Sequence, residues 1–599
     1  MTAPSPALND AAQLALSVKV EGKEISSTYE IVSIDTWLAV NKVPKATIVL
    51  FDGSAAERDF PASNLKTFLP GNKVEVLAGY GTSVKTIFKG VIVKQGIEIT
   101  RNEGSKLIVH LTDEAIKMTL ERNNALFEKI KDSDLIGKLI SANGLAKDVA
   151  ATNTVHEEVV QYYCSDWDLM LTRAQMNSFV VMANAGKVAV KKPDTQQSAV
   201  LRVEYGDSIL DLEAEMDAAT QYSSSAIKSY TWDVDQQKLI DSGPGAVSVK
   251  EQGNYSSAEL AKVFNVKKFP QQTGAPIEKT ALQDWSSAEL LWSKLSKIRG
   301  AVSFQGSALA EVGKTIELAG LGDRFNGTAF MAGVHHSITE GRWLTTAKFG
   351  LSAEWFAETT PEIAAPDASG QLPAIKGLQT GIVKKVAKDP GGEFRVFVTL
   401  PLLQDAAQGV WARLTTFYAS NKVGAVFYPE VNDEVIVGFM NDDPRYAMIL
   451  GSVYSKKLPP LFPPDEKNTK KAITTKSKLQ ILFDDQDKVV EITTPGKNSF
   501  RMDDKAKSIT IKDSKGNTVS LSSGGIKLDS ASNVNINAKG NIALNAKGNV
   551  QIKANANVSV EGLKVSHAAK AQFSAKSNAL AEVSASGFLT IKGAMVKIN

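Results

Sequence analysis

At 599 residues the chain exceeds what one hydrophobic core usually supports, so two to four domains are expected. Lys and Arg number 68 against 65 for Asp and Glu, a balance that argues against nucleic acid as the main partner. The sequence contains no run of about 18 apolar residues that could cross a membrane, and its N-terminus lacks a secretory signal pattern. The single cysteine, Cys164, excludes an intrachain disulfide. We therefore expect a protein made in the cytoplasm without a signal peptide.

Residues 1–365 are predicted to be mainly β with helical insertions. β-branched segments bounded by Gly, Asp and Asn predict strands at 46–53, 72–81, 106–116 and 178–190. Two segments predict helices, each opening on a polar capping signal, at 165–178 and 286–298. The composition then turns to Pro, Ala, Asp and Gly between 361 and 373, which predicts a linker.

Residues 374–457 predict a small barrel of about five strands. The segments with strand character lie at 393–401, 410–417, 423–431, 433–440 and 447–454. A second linker, rich in proline, follows at 456–468.

Residues 470–599 form the last predicted domain, which consists of strands and turns almost without interruption. Apolar and polar residues alternate over 478–530, with turns predicted at 484–487, 494–498, 503–507 and 513–517. No proline follows Pro495, as expected where every backbone N–H must pair.

From Asn533 the sequence repeats in units of eight residues. The second and fourth positions of each unit are apolar and form the predicted core of a β-helix: Val534, Ile536, Ile542, Leu544, Val550, Ile552, Val558 and Val560. Gly540, Gly548 and the asparagines at 533, 541, 549 and 557 fall where the chain must turn, since both residue types tolerate positive φ. Two inward side chains per unit cannot bury a core alone. Either one chain coils, or three chains wind together; the length of the segment favours three.

Lysine dominates the charge of residues 525–599, with nine Lys, no Arg and three acids. This pattern fits attraction to anionic lipid or polysaccharide, but it also fits the protection of exposed strand edges. We expect edge protection, because lysine is the residue that natural sheets use for it.

The barrel segment resembles the OB-fold domain of the VgrG family, the spike proteins of type VI secretion and related contractile injection systems. The residues that carry the resemblance are Trp411, Arg413, Gly424, Pro429, Phe439, Pro444, Gly451 and Tyr454. The helix at 165–178 and the segment 333–351 are similar to parts of phage-tail hub proteins. The resemblance implies hub-like β-barrels, an OB-fold barrel and a C-terminal triple-stranded β-helix formed by three chains.

The resemblance also implies a function. It predicts a non-enzymatic homotrimeric spike at the end of the inner tube, contacting tube and baseplate proteins at the hub, piercing the target envelope and carrying effector cargo. At the chain's end, Met595, Val596, Ile598 and Asn599 would bind a PAAR-type tip protein. Membrane contact would be transient, and the assembled particle would deliver the protein outside the cell or into a target cell. The alternative is a single-chain β-helix of a polysaccharide-degrading or adhesive protein.

Reactive side chains do not form a recognisable catalytic or metal-binding pattern. His335 and His336 are adjacent but lack further ligands at suitable spacing, so we expect one to face inward and one outward. The pairs Asp442–Asp443 and Asp484–Asp485 lie at predicted turns, where Asp forms local hydrogen bonds. The barrel segment offers no stacked aromatic and basic platform for nucleic acid. We therefore predict no catalysis, no cofactor, no metal and no nucleic-acid partner.

Overall fold

A computed structural model of the protein describes residues 3–6, 13–102, 104–403 and 408–598. The protein is mainly β, as predicted, with 39% of its residues in strands and 13% in helices. The chain divides into two compact units, Met1–Val453 and Tyr454–Asn599.

The first unit contains a large sheet and several smaller ones up to residue 349. Its strands in chain order are β1 (Leu14–Val20), β2 (Lys23–Glu24), β3 (Ile31–Ala39), β4 (Lys45–Phe51), β5 (Lys73–Tyr80), β6 (Ser83–Thr100), β7 (Gly104–Thr112), β8 (Arg122–Lys131), β9 (Ala146–Val149), β10 (Val155–Ser165), β11 (Val180–Asn184), β12 (Lys187–Lys191), β13 (Leu201–Glu204), β14 (Ile209–Met216), β15 (Ile227–Asp233), β16 (Lys238–Asp241), β17 (Phe269–Thr273), β18 (Ile298–Gln305), β19 (Thr315–Ala319), β20 (Gly327–Thr339) and β21 (Arg342–Phe349). The helices are α1 (Asp132–Ala142), α2 (Asp166–Met176), α3 (Ser257–Phe264), α4 (Lys279–Leu295), α5 (Gly322–Phe325) and α6 (Phe356–Thr359).

Thirteen of these strands form one sheet. Its main path runs β14-β18-β21-β20-β3-β4-β7-β6-β5-β1-β2, and β13 and β19 join it through β20. The strands place alternate residues inside: in β4, Ala46, Ile48 and Leu50 are buried while the residues between them are not. Three of the strands predicted from β-branched segments, 46–53, 72–81 and 106–116, correspond to β4, β5 and β7 of this sheet. The fourth, 178–190, is a hairpin of two strands, β11 and β12, which lies in a separate three-stranded sheet with β9.

The helix α2 begins where the capping signal predicted it. The Ser165 hydroxyl accepts a hydrogen bond from the Asp168 backbone N–H at 3.1 Å. The helix α4 begins at Lys279, seven residues before the predicted start at Ser286. That prediction was wrong because the Ser286 hydroxyl donates to the Gln283 carbonyl within the helix, at 3.1 Å, and caps nothing.

A closed barrel of five strands follows in the first unit, as predicted. The strands of this region are β22 (Gln379–Lys385), β23 (Val396–Thr399), β24 (Val410–Leu414), β25 (Ala419–Ser420), β26 (Val423–Gly424), β27 (Glu434–Phe439) and β28 (Ala447–Ser452), and the barrel runs β22-β23-β24-β28-β27. The predicted strand 423–431 is wrong beyond Gly424. Val426, Phe427 and Tyr428 are exposed in succession, so this segment has no inward face.

The second unit contains a seven-stranded antiparallel meander. Its strands are β29 (Lys470–Thr474), β30 (Gln480–Asp484), β31 (Val489–Thr493), β32 (Ser499–Asp503), β33 (Ser508–Lys512), β34 (Thr518–Ser522) and β35 (Gly525–Asp529). Each of the four predicted turns joins two of these strands. The alternation of the sequence therefore predicted both the strands and their connections.

After Asp529 the backbone has no regular secondary structure and pairs with no strand of the described chain. It bends at regular intervals, at 531–532, 539–540, 547–548, 555–556, 563, 570–571, 578–579, 586–587 and 594–595. The eight-residue period thus continues to the end of the repeat region. Gly540 and Gly548 lie in these bends, but no residue from 530 to 598 has positive φ, contrary to the prediction. The bends therefore form without left-handed backbone.

Candidate functional site

The seven-stranded meander has one apolar face. Residues opposite each other on neighbouring strands share a face of the sheet. The pairings align two rows across it: Ile473, Ile481, Ile492, Phe500, Ile511, Val519 and Leu528, and then Phe483, Val490, Met502, Ile509, Leu521 and Ile526. The opposite face carries charged and hydroxyl groups, among them Arg501, which donates to Asp503 at 2.8 Å.

This apolar face is not covered by the rest of its own unit. Ile511 is 49% exposed and Leu528 63% exposed. A concavity of about 590 Å³ lies against the first row, between Ile492 and Val534. Uncovered apolar surfaces of this extent mark interaction sites.

The repeat that follows is likewise incomplete in one chain. The eight residues predicted to form its core are between 55% and 73% exposed. From residue 531 to 598, all of which the structure describes, no backbone N–H donates to a backbone carbonyl. An ordered segment without a hydrogen-bond ladder or a buried core has nothing to offset its loss of conformational entropy. This segment therefore requires partner strands.

The chain ends in a short apolar stretch. Met595 is 75% exposed, Val596 50% and Ile598 87%. Asn599, the fourth residue predicted to bind a tip protein, lies outside the described residues. The assignment of these four residues to tip binding stays a prediction.

The residues that carry the VgrG resemblance lie in and around the barrel. Trp411, in β24, packs its ring against Phe397 with 5.2 Å between centroids. Gly424 has φ 139°, and a Cβ there would lie 2.5 Å from the Tyr418 carbonyl oxygen, so only glycine fits. The others occupy varied surroundings: Arg413 and Tyr454 are exposed, Pro429 is buried, and Phe439, Pro444 and Gly451 are half-buried.

The acidic pairs have structural partners. Asp443 accepts two hydrogen bonds from Arg445, at 3.0 Å from Nε and 2.7 Å from Nη2, and this pairing holds the pKa of Asp443 below its usual range. Asp484 accepts from the backbone N–H groups of the turn that follows β30. These contacts confirm the interpretation of the pairs as turn residues.

The adjacent histidines face opposite ways, as predicted. His336 is buried, and burial lowers its pKa to about 3, so it is neutral near pH 7; its Nδ1 lies 2.9 Å from the Thr345 hydroxyl. His335 is partly exposed, stacks on Trp37 at 5.2 Å and lies 3.0 Å from Asp35. Among the residues that the structure describes, no group of three His, Cys, Asp or Glu side chains could hold a metal ion.

Exposed aromatic side chains on the barrel loops escaped the sequence analysis. Phe394, Phe417, Tyr418, Phe427 and Tyr428 are between 42% and 89% exposed. None stacks on another aromatic ring within the described chain. They lie in loops without a periodic pattern, so no sequence signal set them apart from buried aromatics.

Two family profiles match the chain. The profile of the Alg8 N-terminal domain matches residues 10–340, and that of the type VI secretion system/phage-baseplate injector OB domain matches residues 379–454. The second match confirms the resemblance to VgrG-family spike proteins. No curated protein matches the chain, and within the described residues no helix is long and apolar enough to cross a membrane.

Several solved structures are distantly similar. A tail protein from Neisseria meningitidis has 13% identity and a TM-score of 0.42, covering 57% of this chain and 98% of its own. A type VI secretion component of E. coli has 13% identity and a TM-score of 0.34, covering 73% and 99%. A chain of the Francisella PdpA–VgrG complex has 8% identity and a TM-score of 0.36, covering 87% and 80%. With TM-scores below 0.5, these likenesses support no further conclusion.

Proposed function

The chain belongs to the Alg8 N-terminal domain family, and from its injector OB domain we propose that it is the hub and spike of a contractile injection system. Residues 1–365 are the hub, 374–457 the OB-fold domain and 470–599 the spike. The hub contacts the inner tube and the baseplate, and the spike leads when the sheath contracts. The role is mechanical and does not involve catalysis.

The spike is a homotrimer. The observation that supports this proposal is twofold: the apolar face of the meander is uncovered, and the tail that follows it has no backbone partners in its own chain. In a trimer, the two neighbouring chains cover the apolar face of each chain. They also provide strands with which each tail strand forms backbone hydrogen bonds. Strands bonded in this way must break together, so the rod can pierce an envelope without unfolding.

The single-chain alternative has weaker support. A coiled β-helix requires ladders between successive turns of one chain, and residues 530–598 form none as the structure describes them. An enzyme of that type would also need clustered carboxylates, whereas residues 531–599 contain only Glu561 and Glu582.

The tip and the cargo complete the proposal. Met595, Val596, Ile598 and Asn599 of three chains form an apolar platform for a PAAR-type tip protein, and the particle carries effectors across the target envelope. Deleting residues 593–599 should abolish capture of such a tip protein while leaving the oligomer intact. Unchanged capture would contradict the platform.

Light scattering of the purified full chain tests the oligomer. We expect three times the chain mass of 64.3 kDa. A monomer at micromolar concentration would contradict the spike, and a dimer would contradict the three-fold arrangement.

A further inference from the structure

The first unit contains a cavity of about 730 Å³ that the spike function does not use. It lies between α2, β17, α4 and the segment 353–358. Four aromatic side chains line it: Tyr222, Phe269, Trp285 and Trp355. Its volume falls within the range of small-molecule binding sites, which also combine apolar walls with a few polar groups.

The charged residues that line the cavity all have the same sign. Glu289, Glu354 and Glu358 contribute carboxyl groups, and no Lys, Arg or His is among the lining residues. An anionic ligand would therefore meet repulsion without compensation. A bare metal ion is also a poor match, because the carboxylates of the described residues do not come together in any group of three that could hold one.

Of these three glutamates, only Glu289 is buried. The residue is 5% exposed. Its Oε2 accepts from Trp355 Nε1 at 2.6 Å and from Gln271 Nε2 at 3.0 Å, whereas no donor in the described part of the chain contacts Oε1. Burial raises the pKa of Glu289; the hydrogen bond from Trp355 offsets part of this rise, and the nearby Glu358 adds to it. A buried carboxyl group with one free oxygen is thus left without a counter-charge.

The aromatic side chains are placed to complete a cation site. Trp285 precedes Glu289 by four residues on α4, so the two side chains share one face of the helix. Tyr222 and Phe269 lie together, with 4.5 Å between ring centroids. Indole and phenyl faces attract ammonium groups, most strongly where water is excluded, and they also pack against alkyl stems.

We propose that this cavity binds an organic cation, a primary or methylated ammonium group on an alkyl stem. Glu289 is the counter-ion, and Trp285 and Trp355 form the walls along the stem. The same chemistry is found in a free polyamine and in a lysine side chain presented by another protein of the particle. The site adds ligand binding to a hub whose proposed role is mechanical, and it does not depend on the formation of the spike.

Calorimetric titration of the full chain tests the site with spermidine, cadaverine and tetramethylammonium, and with 1-pentanol as an uncharged analogue. We expect at least one of the cations to bind and the alcohol not to bind. Glu289→Gln should weaken binding at least about tenfold, the equivalent of one lost charge pair. Glutamine keeps a carbonyl acceptor for Trp355 and Gln271, so the variant should melt like the wild type.

A matched variant and a second ligand sharpen the test. Glu215→Gln removes an exposed carboxylate that pairs with Arg299, and it should leave cation binding unchanged. Comparing spermidine with a short lysine-containing peptide identifies the source: tighter binding of the peptide indicates a protein partner, and tighter binding of spermidine a free polyamine. The proposal is overturned if no cation binds, if 1-pentanol binds equally well, or if Glu289→Gln binds as tightly as the wild type.

Discussion

The proposed spike predicts a large effect from one small change in the repeat, Ile552→Ala. Ile552 is 72% exposed in the single chain. Fully burying an isoleucine side chain stabilises by roughly 1.5–3 kcal/mol, so covering the exposed part contributes about 1–2 kcal/mol per chain. Three copies of the residue meet at one level of the trimer. The trimer should therefore lose about 3–6 kcal/mol, since alanine retains little of this apolar surface.

The assay is dissociation of the trimer in guanidinium, followed by light scattering at fixed protein concentration. A loss of 3–6 kcal/mol corresponds to a roughly 10²- to 10⁴-fold weaker association, which should lower the dissociation midpoint clearly. The control is Gln551→Ala, the preceding residue, which alternation directs away from the core. If Ile552→Ala leaves the midpoint unchanged, or if both variants lower it equally, the predicted inward face is wrong.

The hub supplies two further predictions. Arg173→Met removes one of the three side-chain partners of Asp132, which also contacts His156 and Asn177. The Asp132 side chain is 3% exposed and accepts from Arg173 at 2.7 and 2.9 Å, so the change should cost about 3 kcal/mol locally. Hydrogen exchange in α1 and α2 should then be roughly 100-fold faster, and a change below about threefold would refute the role of the pair. Because His336 has a pKa of about 3 when folded, against about 6.5 when unfolded, its contribution is complete above pH 6.5 and declines as the pH falls toward 3. His336→Asn should flatten the decrease in hub melting temperature between pH 6.5 and 4.5, and an unaltered slope would contradict this assignment.

The parts of the fold that could be predicted are those in which local chemistry and tertiary structure agree. The Ser165 cap of α2 is one example, and the meander is another, because alternation and turn residues together define each hairpin. The barrel was predicted on the same basis. That prediction contained two errors. The strand 423–431 was wrong because an apolar run without alternation can be a loop that exposes its side chains, and β22 was missed.

The cation cavity could not have been predicted from the sequence. Its walls come from segments that are far apart along the chain, so no spacing connects Tyr222 with Trp355. Glu289 looks like an ordinary polar position of an amphipathic helix, and only tertiary packing buries it. The same holds for Asp132, since Arg173, one of its partners, lies on another helix.

The absence of backbone pairing within residues 530–598 has a consequence for the order of assembly. If the tail folds only between chains, its folding rate depends on how often three tails meet, and free chains at low concentration would rarely succeed. Trimerisation through the hub would hold the tails together at an effective concentration in the millimolar range. We therefore expect the hub to associate first and the tails to pair afterwards. Hub variants that slow association should then also delay the formation of the spike.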